Sequence, residues 1–191
     1  MMGREQDRRA AIAKAQIELN KKLAYLDTET TGLKDNDQIV EICLIDNDGA
    51  VLIDSLVKPT AKIPPDAMRV HGITDAMVSN APTWPELWPQ LEPILAERRL
   101  AIYNADYDVR LMQQSHRVHG LNWDTPLSQF CIMKLYAQYR GDWNSRSGSY
   151  RWVSLDDARW QCHLELPNAH RARADTLLAR AVLQFVAAQK A

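Results

Sequence analysis

The chain opens on a polar stretch in which Ala11, Ala15 and Leu19 recur every fourth position, and this spacing predicts a short amphipathic helix over residues 8–22, packed outside a sheet. The pattern then changes. Leu23-Ala-Tyr-Leu26 is a continuous apolar run of the kind that forms a buried strand, and it stops at two acids, Asp27 and Glu29. Gly32, with Thr28, Thr30 and Thr31, turns the chain at that point. Two more apolar stretches, residues 38–46 and 50–58, flank Asn47-Asp48-Gly49. They predict an antiparallel hairpin that continues from the first strand as a three-stranded meander. Residues 59–85 carry Pro59, Pro64, Pro65, Pro82 and Pro85, which leave room only for short helical turns. One of these follows His71-Gly72-Ile73-Thr74, with Thr74 able to cap a helix start.

The second half alternates helices with short strands. Leu87, Leu91, Ile94 and Leu95 predict a helix over 84–98 that covers one face of the sheet, with Trp84 and Trp88 as packing residues. Residues 100–103 read as a buried strand and 104–119 as a helix packed through Ala105, Val109 and Met112, closed by Gly120. A further strand is expected over 123–130, then a helix through Cys131, Leu135 and Tyr139. Residues 141–154 mix Trp143, Arg146, Tyr150, Arg151 and Trp152 in an exposed loop of charge +1 that suits stacking and pairing with a single strand. Ser154 caps the next helix, with Asp157 at the third position. The last helix spans 172–188 and packs through Leu178, Ala181, Val182, Phe185 and Val186.

Acids at the ends of these elements carry the chemistry. Side chains two apart on a strand point the same way about 7 Å from each other, so Asp27 and Glu29 share a face. Like charges at the end of a buried run are costly unless something positive lies between them, and a divalent metal is the candidate. The plainer reading of the pair is an ordinary solvent-facing strand end. Asp108 lies beside the packed stripe of its helix, where it serves either as a first-turn acid or as a ligand to a shared metal. Asp175, three residues before Leu178 and seven before Val182, faces inward and needs a partner. His170 is five residues before Asp175, about 140° out of phase on a continuous helix. The two converge only if His170 stays on the preceding loop, where an imidazole can act as general base. Four carboxylates gathered in one place call for hard cations, Mg²⁺ or Mn²⁺, and a two-ion site of that kind is a phosphodiester-cleaving design.

Composition narrows the setting. The chain has 191 residues, 46% of them hydrophobic, and fits one domain with a full core. A formal charge of −1 excludes a strongly basic, polyanion-coating protein, so nucleic-acid contact depends on local patches or on metal bridging phosphate to acid. Near-neutral charge also favours short or single-stranded ends over long duplexes. Cys43, Cys131 and Cys162 lack metal-ligand spacing and read as reduced core thiols of a cytoplasmic protein. The chain shows neither a signal-like apolar segment nor a membrane span, so no membrane partner is expected.

Three segments in order, Asp27-Thr-Glu-Thr-Thr-Gly32, Asn104-Ala-Asp-Tyr-Asp108 and His170-Arg-Ala-Arg-Ala-Asp175, resemble the exonuclease motifs of the DEDDh 3′-to-5′ exonucleases. That family contains the proofreading epsilon subunit of bacterial DNA polymerase III and ribonuclease T. The resemblance implies an RNase H-like α/β fold: a mixed five-stranded sheet, its first three strands antiparallel, flanked by helices. Residues 1–22 would form an N-terminal helix or extension and 23–191 the exonuclease domain. It implies that Asp27, Glu29, Asp108 and Asp175 bind two Mg²⁺ or Mn²⁺ ions and that His170 is the general base. Thr30, Leu33, His71, Asn104 and Tyr107 would line the place of the terminal nucleotide. The implied reaction removes 5′-mononucleotides from a 3′ end, of single-stranded DNA in the first reading. The alternatives are a ribonuclease or oligonucleotide-trimming enzyme and, further off, a non-catalytic nucleic-acid-binding protein. Two departures stand out: Tyr107 occupies a position where phenylalanine is commoner, and no tail follows Ala191 of the kind that tethers epsilon to its polymerase. The resemblance therefore carries exonuclease activity further than it carries a polymerase partner.

Overall fold

A computed structural model describes residues 2–190. Helix α1 (Met2–Leu19) leads into strand β1 (Leu23–Thr30), followed by β2 (Ile39–Ile45) and β3 (Val51–Leu56). The proline-rich stretch holds two short helices, α2 (Pro65–His71) and α3 (Asp75–Val78), the second capped by Thr74, whose hydroxyl accepts from the Met77 N–H. Next come α4 (Trp84–Glu97), β4 (Arg99–Ile102), α5 (Ala105–Val118), β5 (Ser128–Cys131) and α6 (Ile132–Arg140). A small hairpin of β6 (Trp143–Asn144) and β7 (Ser149–Tyr150) precedes α7 (Leu155–Gln161) and α8 (Ala172–Ala187).

The main sheet runs β3-β2-β1-β4-β5. β1 pairs antiparallel with β2, and β2 with β3, whereas β1–β4 and β4–β5 are parallel. This is the mixed five-stranded sheet, meander first, that the sequence motifs imply. Alternation along the strands builds two cores. Leu23, Tyr25, Cys43, Ile45 and Ala101 pack on one face against α1, α6 and α8, while Ala24, Leu26, Ile42, Leu44 and Leu100 pack on the other against α4 and α5.

Three local readings change. The first helix starts at Met2 rather than near residue 8, and Ala11, Ile12 and Ala15 on it are fully buried in the core, so it is more than an outer appendage. The strand expected over 123–130 shrinks to Ser128–Cys131. Pro126 cannot donate to a ladder, and Trp123 instead packs against Trp88 and His116, with centroids 5.3 and 4.7 Å away. The loop over 141–154 contains the β6–β7 hairpin, where Trp143 meets the Tyr150 ring edge-on at 5.1 Å.

Helix α4 starts from a capping box: Glu86 accepts from the Thr83 N–H at 2.7 Å and from its hydroxyl at 2.8 Å. Behind it, Trp84 is 1% exposed and its indole N–H donates to His116 Nδ1 at 2.9 Å. The same Nδ1 lies 3.2 Å from the Met112 carbonyl, and burial holds the His116 pKa below the usual histidine value against the pull of that carbonyl. Truncating Trp84 to alanine removes both the packing and the bond, and is expected to cost about 3–5 kcal/mol in urea unfolding. A loss below about 1 kcal/mol would show that this cluster does not anchor the helix layer.

Candidate active site

The alternation that divides the core also distributes the acids. Beyond Leu26, Asp27 and Glu29 continue the face that looks toward α8, while Thr28 and Thr30 continue the face toward α5. On the α8 side, Asp27, Glu29 and Asp175 bring one carboxylate oxygen each within 4.8 Å of one another. On the α5 side, Asp108 is 3% exposed and its Oδ1 accepts from the Thr28 hydroxyl at 2.8 Å. All four acids line one cavity of about 690 Å³, with Asn104, Tyr107 and His170 also in its wall. The sequence motifs imply a single knot of four acids; the structure gathers three and brings the fourth to the same cavity across the strand, held by a threonine.

Crowding and burial change the proton affinity of every acid here. Burial, followed by repulsion from Asp108, Glu29 and Asp175, holds the Asp27 carboxyl well above the usual range. Glu29 is pushed up to about 8, first by burial and then by Asp175 and Glu41. Burial lifts Asp108 to about 7, against the pull of the Thr28 hydroxyl. Asp175 rises to about 6 by burial, with the Ala169 N–H and His170 drawing it partway back. Such a set binds either protons or a cation. Three carboxylates with no nitrogen or sulfur among them are a hard-oxygen donor set able to hold a divalent cation.

Residues that the sequence did not single out hold this arrangement. Glu41 on β2 pairs across the ladder with Glu29 and is 4% exposed. Both of its oxygens accept from Arg171 Nε, at 3.1 and 3.0 Å, and its Oε2 also accepts from the Ala172 N–H at 2.8 Å. Glu41 thus ties the first turn of α8 to the sheet and holds Arg171, whose charge also acts on Glu29. Its signal was present: it is the lone charge in the otherwise apolar, fully buried run Ile39–Ile45. Asp175 is braced from the loop side. Its Oδ1 accepts from the Ala169 N–H at 3.2 Å, and the Asn168 amide nitrogen, turned toward it, lies 3.1 Å from both carboxylate oxygens. His170 sits between these anchors on the loop, exposed, with a left-handed backbone (φ 47°). It lines the acid cavity, as expected of a loop histidine placed before the helix.

A second cavity of about 760 Å³ adjoins the acids on the side of α2, walled by Thr30, Leu33, Val70, His71, Asn104 and Tyr107 among others. Leu33 is 77% exposed at its mouth. Asp37 closes the turn beneath it, accepting from the Thr31 hydroxyl at 2.7 Å and the Lys34 N–H at 2.6 Å. A Cβ at Gly32 would meet Asp37 Oδ2 at 2.7 Å, so only glycine admits this closure. The Tyr107 hydroxyl lies 2.9 Å from Thr30 Oγ1 and 3.1 Å from the Gly32 carbonyl, so the group that a phenylalanine lacks pins the turn. His71 is buried with both nitrogens engaged: Nδ1 accepts from the Ile73 N–H at 3.0 Å, which leaves Nε2 to donate to the Thr30 carbonyl at 3.2 Å. Its ring lines the cavity while its polar atoms hold the end of β1. Asn104 is exposed at the start of α5 and borders both cavities.

This sheet, these motifs and this cavity recur in known proteins. The family model described as Exonuclease, RNase T type, matches residues 25–183, almost the whole sheet and all three motifs. An uncharacterized exonuclease of Escherichia phage 186 is 42% identical over 169 residues, covering 85% of this chain and 87% of that protein. The DNA polymerase III subunit epsilon of Haemophilus influenzae is 34% identical over 159 residues, covering 75% of this chain and 61% of its own length. Among solved structures, Exonuclease X in complex with 5′ overhanging duplex DNA superposes with a TM-score of 0.63 at 27% identity, over 85% of this chain and 90% of that one. With the acids of all three motifs on one cavity and the family model spanning the fold, the chain belongs to the DEDDh 3′-to-5′ exonuclease family, in the group of ribonuclease T and the polymerase III epsilon subunit.

Proposed function

We propose that this exonuclease removes nucleotides one at a time from the 3′ end of single-stranded DNA and releases 5′-monophosphates. The observation that carries the reading is the convergence of Asp27, Glu29 and Asp175, with oxygens within 4.8 Å, beside a cavity roomy enough for a nucleoside. Asp27, Glu29 and Asp175 would hold divalent cations, with Asp108 completing a two-ion set. Those ions, Mg²⁺ or Mn²⁺, would supply charge neutralisation and Lewis acidity at the scissile phosphate. The chain's own groups do the rest. Thr30, Leu33, His71, Asn104 and Tyr107 enclose the terminal nucleoside, Leu33 packing on it from the exposed turn. His170 takes the proton from the attacking water; its place on the loop, between the Asn168–Asp175 contact and the Arg171–Glu41 pair, keeps the imidazole at the acids without burying it. DNA as the substrate is supported by two relatives, a DNA polymerase III subunit epsilon and an Exonuclease X seen in complex with 5′ overhanging duplex DNA. The partner is a nucleic-acid end, and the setting is the cytoplasm, supported by three unpaired thiols. No described helix is long and apolar enough to cross a membrane.

Digestion of matched 3′-labelled and 5′-labelled DNA and RNA strands in Mg²⁺ or Mn²⁺ tests the whole reading. The expected outcome is immediate release of the 3′ label as a mononucleotide and stepwise shortening of 5′-labelled DNA. Preferential shortening of RNA would select the ribonuclease alternative instead. Asp27→Asn is expected to fold normally and lose at least about 10²-fold in rate, because it removes charge stabilisation of the transition state. His170→Ala should lose rate while calorimetric metal affinity stays near that of the parent. Near-parental hydrolysis by metal-loaded Asp27→Asn would refute the assignment.

The raised acids also set a pH dependence. Glu29, Asp108 and Asp175 hold protons in the folded chain up to about 8, 7 and 6, whereas unfolded they release them near the ordinary carboxylate value. Without metal, their contribution to stability is therefore greatest at low pH and declines as pH rises from the unfolded value through those folded ones. Cations compete with these protons. The rise in melting temperature on adding Mn²⁺ is expected to be larger at about pH 8 than at about pH 5. Equal shifts at both would show that the ion binds elsewhere.

A further inference from the structure

The six tryptophans of the chain divide into two groups. Trp84, Trp88 and Trp123 pack around His116. Trp143, Trp152 and Trp160 are 54%, 63% and 65% exposed, and all fall between β6 and the end of α7. A single exposed indole is unremarkable, but three within one segment beside a reaction cavity call for an occupant. This segment is fixed to the active site. The Tyr103 hydroxyl lies 3.0 Å from the Val153 carbonyl and 3.1 Å from that of Ser154, and Tyr103 itself is in the wall of the acid cavity. Ser154, Leu155, Asp156 and Arg159 form the α7 side of the same wall. Arg159 links wall to surface: its guanidinium stacks over the Trp160 ring at 4.4 Å, while its Nε donates to Asp156 at 3.0 Å. The Trp160 indole, next to the wall residue Arg159 on α7, thus presents its other face to solvent.

We propose that Arg159 and Trp160 form a stacking platform for bases on the 5′ side of the scissile phosphate. The inference rests on the exonuclease reading. The chamber lined by Leu33 and Tyr107 adjoins the acids on the α2 side, and the acid cavity opens on α7, so a strand whose last nucleoside fills the chamber has α7 as its way out. Charge supplies only part of the grip there. Arg159 is paired with Asp156 and Arg151 with Asp142, which leaves Arg146 as the arginine of this segment outside the ion pairs seen among the described residues. Stacking remains, and it accepts any base because every base presents a π-face. The platform therefore confers a preference for longer single strands without sequence preference and with shallow salt dependence.

The test compares two substrates of the full chain loaded with Mn²⁺. The p-nitrophenyl ester of thymidine 5′-monophosphate reaches only the chamber and the acids, whereas decathymidylate reaches the platform as well. In Trp160→Ala, the KM advantage of decathymidylate over the ester is expected to shrink about tenfold, in line with the loss of one stacked base. Trp160→Phe should restore most of it, and decathymidylate should quench the tryptophan fluorescence of the parent more than that of Trp160→Ala. An unchanged KM ratio in Trp160→Ala overturns the platform, as does an equal loss on both substrates, which would mark Trp160 as structural. If the parent hydrolyses neither substrate, the exonuclease reading fails first and the platform with it.

Discussion

The site depends on a repulsion that the fold relieves only in part. Asp27, Glu29 and Asp175 meet within 4.8 Å, and neighbouring Glu41 and Asp108 add further negative charge. Arg171 offsets part of this at Glu29 and His170 part of it at Asp175, yet the proton affinity of both still rises. The surrounding chain spends its interactions on keeping these groups in place. Glu41 is satisfied by Arg171 and the Ala172 N–H, Asp108 by the Thr28 hydroxyl, Asp175 by the loop N–H of Ala169 and by Asn168.

These braces run along a single path from sheet to loop. Glu41 stands opposite Glu29 in the β1–β2 ladder and grips the first turn of α8. That turn fixes both Asp175 and the direction from which His170 leaves the loop. The left-handed backbone at His170 is a conformation that a non-glycine residue adopts at some cost, and anchors on both sides of it hold it there. A small displacement of α8 would move Asp175 and His170 together, so the pairing of Glu41 with Arg171 couples the positions of the two.

The opposite wall is built by different means. There the turn after β1 is closed by Asp37 under Gly32, and Tyr107 and His71 pin it from above. Polar atoms face the backbone, and the cavity receives ring faces and the exposed Leu33. The result is a mostly apolar chamber beside one walled by the four acids.

Much of this was legible in the order of residues. The apolar run ending in Asp27 and Glu29, the Asn47-Asp48-Gly49 turn, and the periodicity of the helices fixed the meander and its helical layers, because strand alternation and helical spacing are local properties. The five polar residues of the three motifs stood out as a set through their resemblance to the exonuclease motifs; local pattern by itself placed the acids only at the ends of elements. The sequence could not divide the acids between two faces of one strand, since that requires knowing that α8 covers one side of β1 and α5 the other. Nor did it mark Glu41 and Arg171 as partners, because they lie 130 positions apart and meet only when β2 passes under α8. The strand expected at Trp123 failed likewise: the indole found better packing against Trp88 and His116 than a ladder could offer, and such long-range packing is decided by the tertiary structure alone.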